Sequence, residues 1–151
     1  MSFAINMSKW TEKTKQSIDH GVREVIFTVA GFVDERSPVG SRELWADNIS
    51  RAERGLPPRP AGYIGGHFRA NNQYHFGTPP DNEVDGVDPD GGMTLAKIKA
   101  GVLSSPVAGI HWIANNVPYA MALENGHSKQ APQGIYKLAV MDTEAVIRSI
   151  L

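Results

Sequence analysis

Apolar positions recur at spacings of three and four residues in several stretches of the chain, and this periodicity is typical of amphipathic helices. The longest such stripe runs from Trp10 to Val29, and Gly31 is the expected end of its helix. Pro118 is expected to open a short helix, because proline is favoured in the first helical turn. Helices are therefore predicted at four places: residues 8–31, 93–103, 118–123 and 133–150.

Two other stretches have the character of strands. In residues 67–77 apolar and polar side chains alternate, and residues 107–114 are rich in branched and aromatic side chains. Residues 34–66 are instead punctuated by proline and glycine, and residues 78–92 form a loop with five acids and no base. A structureless segment as long as residues 34–66 is uncommon in a compact domain. Its alternatives are a functional loop, a disordered insertion or a segment that contains further strands.

This order of helices and strands predicts a single α+β domain over residues 1–151. A long N-terminal helix and a C-terminal helix pack on one face of an antiparallel sheet, and long loops connect the elements. The 151 residues, of which 41% are hydrophobic, are sufficient for one buried core. The sequence contains no internal repeat and no domain boundary.

Charge and composition exclude several classes of function. The formal net charge is -1, so the chain has no overall field that would attract nucleic acid. The absence of cysteine excludes disulfides, thiolate metal ligands and a cysteine nucleophile. No run of apolar residues is long enough for a membrane span, and the polar N-terminus does not resemble a signal peptide. We therefore expect a soluble protein without a membrane partner.

The histidines and acids do not match a known metal motif. No histidine pair has the HExxH spacing of zinc proteases, and His67 and His75, placed on one strand, would stand about 26 Å apart. The acidic loop begins like a calcium-binding EF-hand loop, but Gly92 stands where a bidentate glutamate is required. We therefore expect no metal and no cofactor.

Two further groups have an interpretation as functional sites. Glu124 and His127 are three residues apart, so on a helix they could form an acid–base pair, although a surface ion pair or a helix cap is the simpler interpretation. Arg69 lies among aromatic residues and could contact a nucleic-acid backbone, or it could belong to a solvated strand face. Neither group is accompanied by a nucleophile elbow or a phosphate-binding loop, so no catalytic residue is predicted.

The segment from Asn115 to Gly134, NNVPYAMALENGHSKQAPQG, predicts a corner between the second strand and the last helix. Its two asparagines favour a turn, because asparagine tolerates left-handed backbone and forms local hydrogen bonds. The short helix that follows is expected to end at Gly126, and Gln130 to Pro132 lead in extended conformation into the last helix.

The same segment resembles the neck, or tail-completion, proteins of long-tailed bacteriophages. The mark of that family is a strand ending in Asn-Asn, followed by Pro-Tyr-Ala, Leu-Glu-x-Gly and Gln-Ala-Pro before a C-terminal helix. Here these are Asn115-Asn116, Pro118-Tyr119-Ala120, Leu123-Glu124-Asn125-Gly126 and Gln130-Ala131-Pro132. Two further pieces resemble the family in the same order, Ser37-Pro38-Val39-Gly40 and Gly65-Gly66-His67-Phe68-Arg69-Ala70-Asn71. The chain departs from similar sequences at Asn72, where tryptophan is frequent, and in a longer loop at residues 46–60.

The resemblance implies a non-enzymatic structural protein of the virion that forms a ring between the portal assembly of the capsid and the tail. A homo-hexamer is expected because phage tails are sixfold, and twelve copies are the alternative near the portal. The expected partners are head-completion or connector proteins and tail terminator or tail tube proteins, with phage DNA passing through the lumen. The protein would occur in the host cytoplasm during assembly and afterwards in the virion.

The resemblance also suggests which residues contact other subunits. The polar tip of the corner supplies candidate inter-subunit contacts: Tyr119, Glu124, His127, Lys129 and Gln130. The acidic loop is expected to line the lumen or to contact an adjacent ring through five residues: Asp81, Glu83, Asp85, Asp88 and Asp90. The alternatives are a small prophage-encoded enzyme or metal-binding protein that uses Glu124 and His127, and a toxin-like or regulatory binding module.

Overall fold

A computed structural model describes residues 3–150 of the chain, with the side chains of residue 9 and of residues 11–149. The domain is α+β, as predicted, with helices at both ends of the chain and an antiparallel two-stranded sheet between them. In chain order the elements are α1 Phe3–Arg36, a 3-10 turn Arg42–Leu44, α2 Ala46–Glu53, α3 His67–Ala70, β1 Gln73–Phe76, α4 Gly92–Ser104, β2 His111–Ala114, α5 Ala120–Glu124 and α6 Tyr136–Ile150. The side chains of Trp10 and Ile150, which the periodicity places on apolar helix faces, lie outside the described residues.

Helix α1 continues past Gly31, its predicted end, and stops just before Ser37 and Pro38. The buried side chains of Ala30, Val33 and Ser37 extend the buried stripe beyond the glycine. A glycine within a helix costs only about 1 kcal/mol, which this burial offsets. The helix ends where it does because the residue before a proline is disfavoured in the helical conformation.

Residues 34–66, all of which the structure describes, contain helix α2 and no strand. Gly40 and Gly65, near the two ends of this segment, lie against each other, because a side chain on Gly65 would overlap the carbonyl oxygen of Gly40. Residues 41–64 therefore leave the body of the domain and return to the same place. We call them the α2 excursion.

Asn48 holds the α2 excursion together. Its side-chain amide donates hydrogen bonds to the carbonyl oxygens of Arg42 (2.8 Å) and Arg59 (2.7 Å), and its side-chain oxygen accepts one from the amide of Arg59 at 2.8 Å. The rings of Trp45 and Tyr63 pack edge to face, with centroids 4.9 Å apart. The excursion is thus an ordered piece of structure and not a disordered insertion.

Residues 67–77 form a short helix followed by a short strand, so the prediction of one continuous strand is wrong. The buried side chains here are Phe68, Asn71 and Asn72, at the three- and four-residue spacings of a helix. The apolar alternation that suggested a strand is not reflected in burial. Of the predicted strand at residues 67–77, the part that pairs with β2 is β1, in which Tyr74 lies opposite Ile113.

The core lies on both sides of α1, and the sheet covers only part of it. One cluster joins α1 to α3, α5 and α6 and contains Val33, Phe68, Val117, Ala131, Ile135 and Ala139. A second cluster joins α1 to α4 and the sheet and contains Ala30, Ile98 and Val102, with Tyr74 and Ile113 packed against it. Helix α1 therefore connects the corner at the C-terminal end with the sheet.

Candidate functional site

Helix α5 ends at Glu124, one residue beyond the predicted end, and Gly126 supplies the left-handed turn that the sequence predicted after it. Gly126 has a positive φ of 83°, its amide donates to the carbonyl of Leu123 at 3.0 Å, and the amide of His127 donates to the carbonyl of Ala122 at 3.0 Å. This pair of bonds is a Schellman motif, which satisfies the last carbonyls of a helix. A methyl group on Gly126 would overlap the carbonyl oxygen of Pro132, so the turn requires glycine for two reasons.

The carboxylate of Glu124 caps the N-terminus of α6. One oxygen accepts hydrogen bonds from the amides of Ile135 and Tyr136, and the other accepts one from the amide of Lys137, all at 2.9 Å. These amides have no acceptor within the helix, and a negative charge is favoured at this end of the helix dipole. The sequence predicted that the last helix begins at Gln133, but α6 begins at Tyr136, where Glu124 caps it.

The electrostatics of Glu124 agree with this role. Partial burial opposes its charged form, but the hydrogen bonds from the amides of Lys137, Tyr136 and Ile135 outweigh burial and hold the pKa of Glu124 below its ordinary value. Helix α5 ends at Glu124, so the exposed His127 is not on the same helix. The acid–base pair of these two residues is therefore not formed, and Glu124 acts as a helix cap.

A buried amide network holds the corner against the rest of the domain, with Asn72 at its centre. The side chain of Asn72 donates to the hydroxyl of Ser37 at 2.9 Å, and its oxygen accepts from the side chain of Asn115 (2.9 Å) and the hydroxyl of Tyr136 (2.8 Å). Burial raises the pKa of Tyr136, so its hydroxyl stays protonated and keeps donating. Asn72 is thus a polar junction between α1, β2 and α6.

The three segments that carry the resemblance, residues 37–40, 65–71 and 115–134, contact each other directly. The side chain of Gln130 both donates to the carbonyl of Val39 (2.9 Å) and accepts from its amide (3.0 Å). The side chain of Asn115 donates to the carbonyl of Phe68 at 2.8 Å. Segments that are far apart in the sequence therefore form one connected block.

The other candidate contact residues of the corner remain at the surface. Tyr119 is 43% exposed, with its ring 6.3 Å from that of Phe68, and Met121 beside it is 69% exposed. His127 and Lys129 are also exposed. Of the predicted inter-subunit contacts, Tyr119, His127 and Lys129 stay available to a partner, whereas Glu124 and Gln130 are engaged within the chain.

The acidic loop is fixed to the domain by its main chain. Asn71 is fully buried, and its side chain pairs with both the amide (2.8 Å) and the carbonyl (3.0 Å) of Val84. The ring nitrogens of His67 lie 2.8 Å from the carbonyl oxygen of Gly86 and 2.6 Å from the carboxylate of Glu83. The hydrogen bond to Glu83 is the main reason that the pKa of His67 is raised. Sequence reasoning missed both clamps, because their partners are distant in the chain.

Asp88 is not a surface acid, which changes the set predicted to line a lumen. Only 3% of it is exposed, and its carboxylate accepts the amide of Thr94 at 2.7 Å in the first turn of α4. Burial opposes the charged form of Asp88, but the hydrogen bonds from Thr94 outweigh burial and lower its pKa. The exposed acids of the loop are Asp81, Glu83, Asp85 and Asp90.

Arg69 faces the interior, so the interpretation as a nucleic-acid contact is wrong for this residue. Its side chain is only 13% exposed, and its guanidinium lies 3.6 Å from the carboxylate of Asp34. It donates to the carbonyl oxygens of Ser37 (3.1 Å) and Pro89. Arg69 thus joins the end of α1 to the acidic loop.

The part of the chain that the structure describes contains neither a metal-binding cluster nor a membrane-spanning helix. Within it, no three histidine, aspartate or glutamate side chains are grouped to hold a metal ion. His67 and His75 lie on α3 and β1 and not on one strand. None of the described helices combines the length and the apolar character that a membrane span needs.

Comparison of the chain with protein-family models, with curated proteins and with solved structures finds no match.

Proposed function

We propose that this protein is a non-enzymatic structural subunit of a bacteriophage neck, which forms a homo-oligomeric ring at the junction of head and tail. The ring completes the neck, permits attachment of the tail and leaves a lumen through which DNA passes. Six copies are expected, with twelve as the alternative, between head-completion or connector proteins and tail terminator or tail tube proteins.

The observation that carries this proposal is the contact between the three segments that resemble the family. Residues 37–40, 65–71 and 115–134 hydrogen-bond to one another through Val39 with Gln130 and Phe68 with Asn115. Short sequence segments that resemble a family only by chance are not expected to contact each other in the folded structure. Their contact supports a shared scaffold and therefore supports the family relation.

The roles of the matching residues also favour a structural function. Glu124 caps a helix, Gly126 follows the end of one, and Asn115, just after β2, donates a hydrogen bond to Phe68 in α3, so these residues specify a shape. Function in a ring then depends on exposed surface, and large apolar side chains are exposed at the corner, where Tyr119 and Met121 lie. Exposed apolar groups of this kind are typical of protein–protein contacts.

The direct test is removal of the gene from the phage or prophage that encodes the chain. Negative-stain imaging should then show filled heads and separate tails, and a plasmid copy of the wild-type gene should restore joined particles. Heads and tails that join normally without the protein would exclude the proposal.

A surface variant refines this test. Met121→Asp places a charge at the exposed tip of the corner, and Met141→Asp, with its methionine 54% exposed on α6, makes the same change elsewhere. We expect the Met121 variant to restore far fewer joined particles than the Met141 variant, because charge is depleted at the centre of protein interfaces. Equal restoration by both variants would exclude the corner tip as a contact.

A further inference from the structure

The α2 excursion carries a groove that is basic and partly apolar. Four of the eight residues that line it are Trp45, Arg51, Arg54 and Arg59, and Asp47 is the one acid among the lining residues. The indole of Trp45 is 41% exposed at this groove. A groove with an aromatic wall and several guanidinium groups suits a carboxylate-bearing partner, because arginine binds carboxylates through two parallel hydrogen bonds.

Among the described residues, no acid forms an ion pair with an arginine of this groove. Elsewhere in the described part of the chain Arg36 pairs with Asp142. Arg51 and Arg54 each donate one side-chain hydrogen bond to a carbonyl oxygen of the excursion, and no ion pair joins them or Arg59 to an acid among the described residues. Their positive charge is therefore available to another molecule.

The same chain carries an acidic surface whose charge is opposite to that of this groove. We call residues 80–86 the acidic ridge. Side chains of the domain, including Gln73 and Asn71, hold its main chain, with bonds of 2.7 Å to the carbonyl of Asn82 and of 2.8 and 3.0 Å to Val84. The carboxylates of Asp81 and Asp85 are exposed on this fixed main chain and, within the described residues, form no ion pair. Groups held in place before binding lose less entropy when they bind.

We propose that the arginine groove of one copy binds the acidic ridge of a neighbouring copy. This inference deepens the proposed function and rests on it for the ring, since a ring closes when one face of each subunit meets a different face of the next. The complementary charges set the register, and exposed side chains such as Trp45 and Ile49 supply apolar area. A second copy fits better than nucleic acid, because the chain itself carries exposed carboxylates for the groove, and its formal net charge of -1 gives no overall field that attracts a phosphate backbone.

The test uses two charge-reversal variants of the full chain, Arg54→Glu/Arg59→Glu and Asp81→Lys/Asp85→Lys. All four residues are exposed, and circular dichroism checks that each variant is folded. Each variant alone places like charges in groove and ridge, so its self-association in sedimentation velocity should be at least about tenfold weaker than that of the wild type. In an equimolar mixture the groove of each variant meets the ridge of the other with opposite charge, so association should return to the wild-type level.

The matched control is Lys13→Glu/Lys15→Glu, an equal change of charge at exposed positions of α1, which should associate like the wild type. Failure of the mixture to associate better than either variant alone overturns the inference. So does a wild-type chain that stays monomeric up to about 1 mM. Binding of a short DNA duplex that is lost in the arginine variant, with self-association unchanged, assigns the groove to nucleic acid instead. Because these measurements use purified protein, they stand apart from the outcome of the head–tail joining test.

Discussion

Replacing Glu124 by alanine should destabilise the whole fold, because three amides at the start of α6 lose their acceptor. A helix cap that accepts an amide hydrogen bond contributes about 1 kcal/mol, and a hydrogen bond to a charged group about 1.5–3 kcal/mol. Glu124 accepts three such bonds at 2.9 Å. Since the three bonds share one carboxylate and are not additive, we expect Glu124→Ala to lower the free energy of unfolding by about 2–4 kcal/mol.

The conservative variant Glu124→Gln separates charge from geometry. Its amide retains one oxygen as an acceptor, so about half of the loss should be recovered. The pKa of Glu124 is lower in the folded state than its ordinary value of 4.5, so the charge contributes fully above that value. The contribution disappears as the pH falls through the folded-state pKa, so the stability gap between wild type and Glu124→Gln should narrow as the pH falls below 4.5.

Urea unfolding followed by far-ultraviolet circular dichroism, at neutral pH and in steps toward acid, measures both effects. The matched control is Glu144→Ala, an exposed glutamate within α6, which should change stability by less than about 0.5 kcal/mol. A loss for Glu124→Ala as small as that of the control, or a gap to Glu124→Gln that does not change with pH, would refute the capping role.

Three further predictions concern the turn, the network and the clamp. Gly126→Ala should cost about 1–3 kcal/mol in thermal unfolding, because of its positive φ and the overlap with a carbonyl, whereas Gly21→Ala, where an added methyl group meets no atom, should stabilise α1 by about 0.5–1 kcal/mol. Asn72→Ala should cost about 2–4 kcal/mol in urea unfolding, since the side chains of Ser37, Asn115 and Tyr136 lose a buried partner, and a loss below that range would contradict the network. The pKa of His67 is raised above 6.5, so its clamp is complete below that pH and weakens as the pH rises through the folded-state pKa. As the pH rises through the folded-state pKa of His67, hydrogen exchange of the amides of residues 83–86 should therefore accelerate in the wild type but not in His67→Gln, once the rates are corrected for their intrinsic pH dependence.

The helices that carry a continuous apolar stripe could be predicted from the sequence, because their burial depends on local spacing. Helix α4, predicted at residues 93–103, spans Gly92–Ser104. The left-handed turn at Gly126, just after α5, was also predictable, because glycine adopts a positive φ without steric strain. The prediction that α1 ends at Gly31 was wrong. A glycine shows where a helix can end, but the packing of the neighbouring residues decides whether it ends there.

Burial of the amides and the cap could not be predicted from local pattern. Asn71 and Asn72 suggest a turn by residue type, yet both are buried, because their partners lie far along the chain at Val84 and Asn115. A helix cap is the simpler interpretation of Glu124 in the sequence, but local pattern does not show that α6 is the helix it caps, because the amides follow it by more than ten residues. A signal was present in the two adjacent asparagines within an apolar pattern, since a buried amide must be fully hydrogen-bonded.

The distribution of partners among the polar side chains supports the α2 excursion as the proposed place of binding. At the corner and along the acidic ridge, amide and carboxylate groups such as Asn71 and Glu124 hold main chain in position. In the α2 excursion Arg54 and Arg59 have no acidic partner among the described residues, although apolar side chains are exposed beside them. Apolar area alone would let copies stick in many orientations, whereas a groove that must meet fixed carboxylates permits few. Charge should therefore decide how subunits are aligned, and apolar contact how tightly they are held.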